Sequence, residues 1–350
     1  MNENITVQDK KKRRIWTIIF VLINVAVIAV TAVNEFSAHP GGSAPSFSSK
    51  AWLYLGCTAL CLVVLFIAES LKYVLMMRTL GEPVSFRVAF ETAALGKYYD
   101  CITPSGAGGQ PFQIYWLHKN GYSDGASSAM TIAAFITMQA GFIIPALAIL
   151  IFSNSVEVEA IRITAWCGLA LFSLIPALMV GFSFAPNTIK RVVSAAIRLF
   201  ARLRLVKKPE ETTEQVVEML DNYHTSLAVI AKKKLVLLCV FILSVIYRFA
   251  LCSMPYFVLK MFDAPVSFMQ TLVSTICIYA TVALVPTPGN AGAAEGAFYI
   301  VFSSIGSGGV FWAMLIWRIF SYYSFLAAGA AVYGASALRK RRKREGETNE

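Results

Sequence analysis

Charge is what this sequence has least of. Only 15% of its 350 residues are Asp, Glu, Lys or Arg, where a soluble domain carries roughly a quarter. With 57% hydrophobic residues and a mean hydropathy of +0.62, this excludes an ordinary water-soluble domain and makes lipid the solvent for most side chains. Metal chemistry finds no footing. The seven cysteines form no CxxC, and Cys57 and Cys61, on one helix face in mid-span, read as packing residues. The three histidines, His39, His118 and His224, are scattered, so no metal or other cofactor is expected. GxSxG, HExxH and the P-loop are all missing. No catalytic residue is therefore nominated, and any transport would not use ATP bound by this chain. Nor is a cleavable signal peptide expected. The first apolar run is too long for one, and no small-residue cleavage site follows it.

The net charge of +11 does not point to nucleic acid, because the basic residues cluster at the ends of apolar segments. Such placement sets orientation and attracts anionic lipid headgroups. Lys10 to Arg14 make a basic N-terminus (1–14) before an apolar run at 15–33, about the length needed to cross roughly 30 Å at about 1.5 Å per residue. Further spans are expected at about 51–77, 126–152, 163–184, 235–259 and 310–334. A basic amphipathic linker (186–234) separates two membrane halves, 15–185 and 235–335, and a basic tail (336–350) ends the chain. Within the linker, residues 210–224 read as an amphipathic cytoplasmic helix.

Two regions, 87–118 and 266–305, each consist of an apolar arm, a Gly/Pro break and a second arm. Treated as re-entrant hairpins, they leave every basic segment and both termini cytoplasmic, with 34–50 and the acidic 153–160 outside. The regions also resemble each other. EPVSF at 82–86 recurs as APVSF at 264–268, Arg78 aligns with Lys260 at the same offset, and TP at 103–104 recurs at 287–288. The fold class expected is an all-α polytopic membrane protein, about six spans and two re-entrant hairpins arranged as inverted repeats, a recurrent transporter plan.

Broken backbone at membrane depth is tolerated only when it is buried in protein or lines a cavity. Pro111 suits a first helical turn, and a helix start offers N–H donors and a positive dipole end to an anion. Candidate headgroup-binding residues at the breaks are therefore Gly108, Gly109, Gln110, Gln113, Pro288, Gly289, Gly292 and Glu295. Ionisable residues in the bilayer are functional candidates by default, which adds Arg248 and Arg318. Arginine clamps a phosphate in bidentate fashion, and Glu295 suits either an arginine or an amine. Glu69, Lys72, Glu91, Lys97, Asp100 and Tyr322 are secondary candidates; Glu69 and Lys72 also fit a plain i,i+3 ion pair near the interface. The arginines, Glu295 and both breaks are expected to share one polar cavity.

TPSGAGGQPFQIYWLHKNG, VPTPGNAGAAEGAFYIVF and LIWRIFSYY resemble the paired signatures of the lysylphosphatidylglycerol synthase transmembrane family, the membrane region of the bacterial multiple peptide resistance factor. The resemblance covers about 15–335. It implies a flippase of the bacterial cytoplasmic membrane that moves anionic or aminoacylated phosphatidylglycerol and contributes to cationic antimicrobial peptide resistance. In the full-length factor a soluble domain makes the lipid. No such domain follows Glu350 here, so aminoacyl transfer by this chain is not expected. A membrane-embedded lipid transferase and a scaffold for a separate synthase remain the alternatives. The partners expected are a phospholipid, a separately encoded lipid synthase and a second copy of the chain.

Overall fold

A computed structural model describes residues 47–103, 106, 108–152, 228–230, 232–282, 285, 287, 289–303 and 309–347, with isolated helical positions between 163 and 197. The expected first span, half of the fourth, most of the 186–234 linker and the acidic loop lie outside the described residues. Those described are helical, with no strand among them. The helices are α1 (Ala51–Thr79), α2 (Phe86–Ile102), α3 (Gly109–Lys119), α4 (Asp124–Phe152), α5 (Lys234–Lys260), α6 (Phe268–Val282), α7 (Ala293–Ser303) and α8 (Val310–Arg318). A π-helical turn, Ile319–Tyr323, joins α8 to α9 (Ser324–Glu347). Four stretches are long and apolar enough to cross a membrane: Ala51–Thr79, Asp124–Ile151, Lys234–Lys260 and Val310–Arg339. The basic tail is not set apart from the last of these, since α9 runs on through Arg339 to Glu347.

The two broken regions repeat in backbone, at an offset of 182 residues before the break and 184 after it. Ser85 caps α2 by accepting from the Val88 N–H, and Ser267 caps α6 by accepting from Gln270. Phe86 and Phe268, 182 residues apart, open these helices. Beyond the breaks, α3 and α7 are both 11 residues long and start 184 residues apart. The special backbone positions obey the same offsets. Gly81 and Asp263 both have positive φ, as do Gly106 and Asn290; Asn and Asp are the side chains that best tolerate that region.

Each short pair closes at its base. Ser123, after α3, donates from its N–H and hydroxyl to Glu82, before α2. Gly309, after α7, packs on the Phe262 ring, before α6, where a Cβ would sit 3.1 Å from that side chain. The long helices α1 and α5, which open the two repeats, share the most extensive helix–helix interface and run antiparallel. Ser48 donates to the Met261 carbonyl at one end, while Met76 and Met77 meet Val240 in one apolar cluster at the other.

Where α4 crosses α5 the backbones nearly touch at Gly141, where a Cβ would lie 2.8 Å from Ser244 Cβ and 3.0 Å from its carbonyl carbon. Helices in lipid associate by such small-residue contacts, since no hydrophobic drive separates helix from solvent there. Gly141→Val is expected to lower stability by about 1–3 kcal/mol, read as an earlier thermal transition in detergent, whereas Gly56→Ala, which meets open space inside α1, should raise it by about 0.5–1 kcal/mol.

Candidate functional site

At the first break, α2 ends at Ile102 and its carbonyls need partners. Thr103 spans the gap, its hydroxyl donating to the Tyr99 carbonyl at 2.6 Å and accepting from the Gly108 N–H at 2.9 Å. The α3 start is occupied. Asp100 Oδ1 accepts from the Gly109 N–H at 3.0 Å, and Oδ2 lies 3.6 Å from Lys97 Nζ. Any side chain at Gly109 would collide with the Asp100 carboxylate, so glycine there is a requirement of close approach. Gln110 sits half-buried on the same turn.

At the second break a carboxylate again meets the helix start. Glu295 Oε2 accepts from the Gly292 N–H at 2.7 Å, and Oε1 takes Arg318 Nε at 2.5 Å. Both side chains are buried. Gly289, at positive φ, leaves no room for a Cβ, which would strike the Tyr322 ring and lie 3.0 Å from the Cys101 carbonyl. Tyr322 donates to that same carbonyl at 3.3 Å. The two breaks therefore touch, with Tyr322 wedged between them. Pro288 lies outside the described residues, as do Pro104 and Ser105.

A second polar group lies between α1, α2, α3 and α5. The Gln113 amide, seated against Gly96, donates to Tyr73 Oη at 2.8 Å, and Tyr73 donates to Glu69 Oε1 at 2.7 Å. Glu69 Oε2 is 2.7 Å from Lys72 Nζ. Lys72 is wholly buried, so this pair is more than an interfacial i,i+3 contact. Lys72 and Lys97 lie 6.0 and 5.2 Å from the centre of the Tyr247 ring, a cation–π distance. Beside them, close enough to repel both, is Arg248. Its partners are neutral: Nη2 donates to Gln139 Oε1 at 3.3 Å, and the guanidinium lies 4.8 Å from the Phe142 ring. Its Nε is buried without a hydrogen-bond partner. The group thus holds three cations, Lys72, Lys97 and Arg248, against two carboxylates, Glu69 and Asp100.

The structure sorts the candidates into two neighbouring sets. Glu295, Arg318, Gly289, Gly292 and Tyr322 gather around the second break. Gly109, Gln113, Glu69, Lys72, Lys97 and Asp100 gather around the first, and Arg248 joins these instead of the Arg318 pair. Tyr279 lies within electrostatic reach of both arginines. Glu91 stands apart at the base of α2, held by Arg87 at 3.1 Å and Arg339 at 2.8 Å. The sequence reading passed over Tyr73, Gln139 and Tyr247; their signal was a hydrogen-bonding side chain in the middle of an apolar span.

Helices long enough to cross, broken pairs between them and ion pairs buried among them mark a multi-pass membrane protein. The chain matches the family model for the lysylphosphatidylglycerol synthase transmembrane region over residues 18–329, and it belongs to that family. It is also similar to a UPF0104 membrane protein from Archaeoglobus fulgidus, 23% identical over 298 residues that cover 83% of this chain and 88% of the relative. No solved structure matches.

The Glu295–Arg318 pair makes a definite prediction. Removing one partner of a buried pair leaves an uncompensated charge, at a cost of about 3–5 kcal/mol. Arg318→Gln and Glu295→Gln should each lower the thermal transition in detergent. The double variant should recover part of the loss, giving a coupling of about 0.5–3 kcal/mol in a double-mutant cycle.

Proposed function

We propose that the chain is a transporter that carries a phospholipid headgroup between leaflets of the bacterial cytoplasmic membrane, both termini facing the cytoplasm. The observation that carries this reading is Arg248. It is a cation in the middle of a membrane-spanning helix with only neutral partners, and it is the one cation in excess in a group where Lys72 and Lys97 are matched by Glu69 and Asp100. Such a residue is expensive unless it meets water or an anion, and a lipid phosphate is the anion a membrane supplies. The acyl chains stay in lipid while the headgroup passes the two touching breaks.

The short pairs fit re-entrant hairpins, because each closes at its own base. The antiparallel packing of α1 on α5 fits two halves related by an axis in the membrane plane. In this arrangement Gly109 and Gln113 line the path from the first half, and Gly289, Gly292, Glu295 and Arg318 from the second. The family name suits a lipid of the phosphatidylglycerol type.

Two measurements test the reading. Cysteine labelling on a background free of native cysteines should find 186–234 cytoplasmic and 153–159 external; external labelling of the linker would discard the inverted arrangement. In proteoliposomes, Arg248→Gln should slow movement of a fluorescent phospholipid by about tenfold or more, equivalent to about 1.4 kcal/mol. Its thermal transition should stay close to that of the parent, since no carboxylate is stranded. Normal movement with lowered stability would make Arg248 a structural residue.

A further inference from the structure

The proposed transport leaves open what the headgroup carries besides phosphate. The hydrogen-bonding groups of the interior bear on that, because a buried donor or acceptor left unmatched is costly and points to what it would receive.

The three carboxylates near the breaks each face a cation, although Glu69 Oε2 meets Lys72 Nζ as an ion pair without a hydrogen bond and Asp100 Oδ2 lies 3.6 Å from Lys97 Nζ. Glu69 gives Oε1 to Tyr73 and Oε2 to Lys72. Asp100 gives Oδ1 to the Gly109 N–H and Oδ2 to Lys97. Glu295 gives Oε1 to Arg318 and Oε2 to the Gly292 N–H. An ammonium entering this interior would have to displace a lysine, an arginine or a helix cap to reach any of them.

Apart from the ion-paired Glu69 Oε2 and Lys72 Nζ, the unpartnered buried side-chain groups among the described residues are N–H donors or hydroxyls. Arg248 Nε and Arg318 Nη2 are buried without hydrogen-bond partners, as are the indole N–H groups of Trp116 and Trp317. Arg318 as a whole is 6% exposed, so its free N–H faces protein interior and not solvent. Four buried hydroxyls, Ser127, Ser128, Thr131 and Ser321, are also unpartnered, and a hydroxyl donates as readily as it accepts. Around the Tyr247 ring the charge is three cations to two carboxylates, an excess that one phosphodiester anion cancels. A headgroup with its own ammonium would leave the excess in place and bring a cation with no acceptor.

Resting on the transport reading, we propose that the interior selects a net-anionic headgroup, a phosphate esterified to an uncharged alcohol, and discriminates against headgroups that carry an ammonium. Arg248 takes one phosphate oxygen, and Arg318 supplies its free N–H as the headgroup passes the second break. Aminoacylated phosphatidylglycerol is then a poor ligand for this chain.

The test uses the full chain in detergent and in proteoliposomes at neutral pH. Thermal stabilisation is titrated with phosphatidylglycerol, phosphatidylethanolamine and lysyl-phosphatidylglycerol, and with two water-soluble anions, glycerophosphoglycerol and inorganic phosphate. Movement of fluorescent versions of the three lipids is followed in parallel. Phosphatidylglycerol should bind at least about tenfold tighter than either amine-bearing lipid, a gap of about 1.4 kcal/mol. Arg248→Gln should abolish that preference, and Arg248→Lys, which keeps the charge, should retain most of it and guard against a misfolded Gln variant. Equal or tighter binding of lysyl-phosphatidylglycerol would overturn the selectivity and leave lipid transport standing. Tight binding of phosphatidylglycerol without movement of any lipid would keep the anionic site and overturn transport. Soluble anions binding as well as the lipid would make the ligand a free phosphate and overturn the lipid assignment.

Discussion

A helix broken inside a bilayer frees N–H and carbonyl groups where no water can satisfy them. Everything distinctive in this protein's interior follows from meeting that demand twice. At each break a carboxylate is brought to the start of the second arm, Asp100 to Gly109 and Glu295 to Gly292, where N–H donors and the helix dipole favour negative charge. A carboxylate in the membrane needs a cation in turn, and Lys97 and Arg318 supply it. Charged residues that look like an extravagance in a span are thus the cost of the breaks. Arg248 is the exception. It caps nothing and neutralises nothing, and its half-buried guanidinium has only the Gln139 amide and the Phe142 ring for partners, which is why the functional argument rests on it and not on the arginine with the better-formed ion pair.

Much of this architecture was legible in the sequence. The repeated PVSF motifs, read from the sequence as a repeat, lie where α2 and α6 begin, and the two TP dipeptides lie at the breaks, since serine caps, proline and glycine act through local backbone rules. The choice between partners was less legible. Arg248, Arg318 and Glu295 were expected together because all three are charges at membrane depth, yet only Arg318 reaches Glu295. Which neighbour a mid-span arginine meets depends on the rotation of α5 against α4 and α1, set by contacts such as Gly141 on Ser244 that no charge pattern encodes. The helix starts were expected to be open to phosphate. That expectation counted the N–H donors and overlooked that Asp100, nine residues before Gly109, folds back onto them.

The repeat is close in backbone and loose in side chains. Ser85 matches Ser267, Thr103 matches Thr287, and Gly106 matches Asn290 in conformation, all positions where geometry restricts the choice. Where packing and charge decide, the halves part. Lys97 corresponds to Tyr279, and the capping carboxylate comes before the break in one half and after it in the other. Two halves of like shape and unlike charge are not equivalent: a cation-rich group lies by the first break and a closed ion pair at the second.

The last span ties these ends together. Its first part, α8, packs Trp317 flat against Phe298 of α7, with ring centres 4.9 Å apart, and offers Arg318 to Glu295. Its second part, α9, runs along α2 of the other half: Gly329 receives the Tyr98 ring, Tyr333 bonds Tyr99 at 2.5 Å, and Arg339 holds Glu91. One regular helix has a single register to offer, and the π-turn at 319–323 resets it between these two partners. Such turns recur at functional sites because the extra residue frees backbone geometry that a regular helix locks. Here the reset lies at Tyr322, the side chain wedged between the two breaks. A shift of α2 and α3 that opened the first break would pull on α9 and reach Arg318 through that turn. The ion pair at the second break thus sits on the same continuous span that contacts α2.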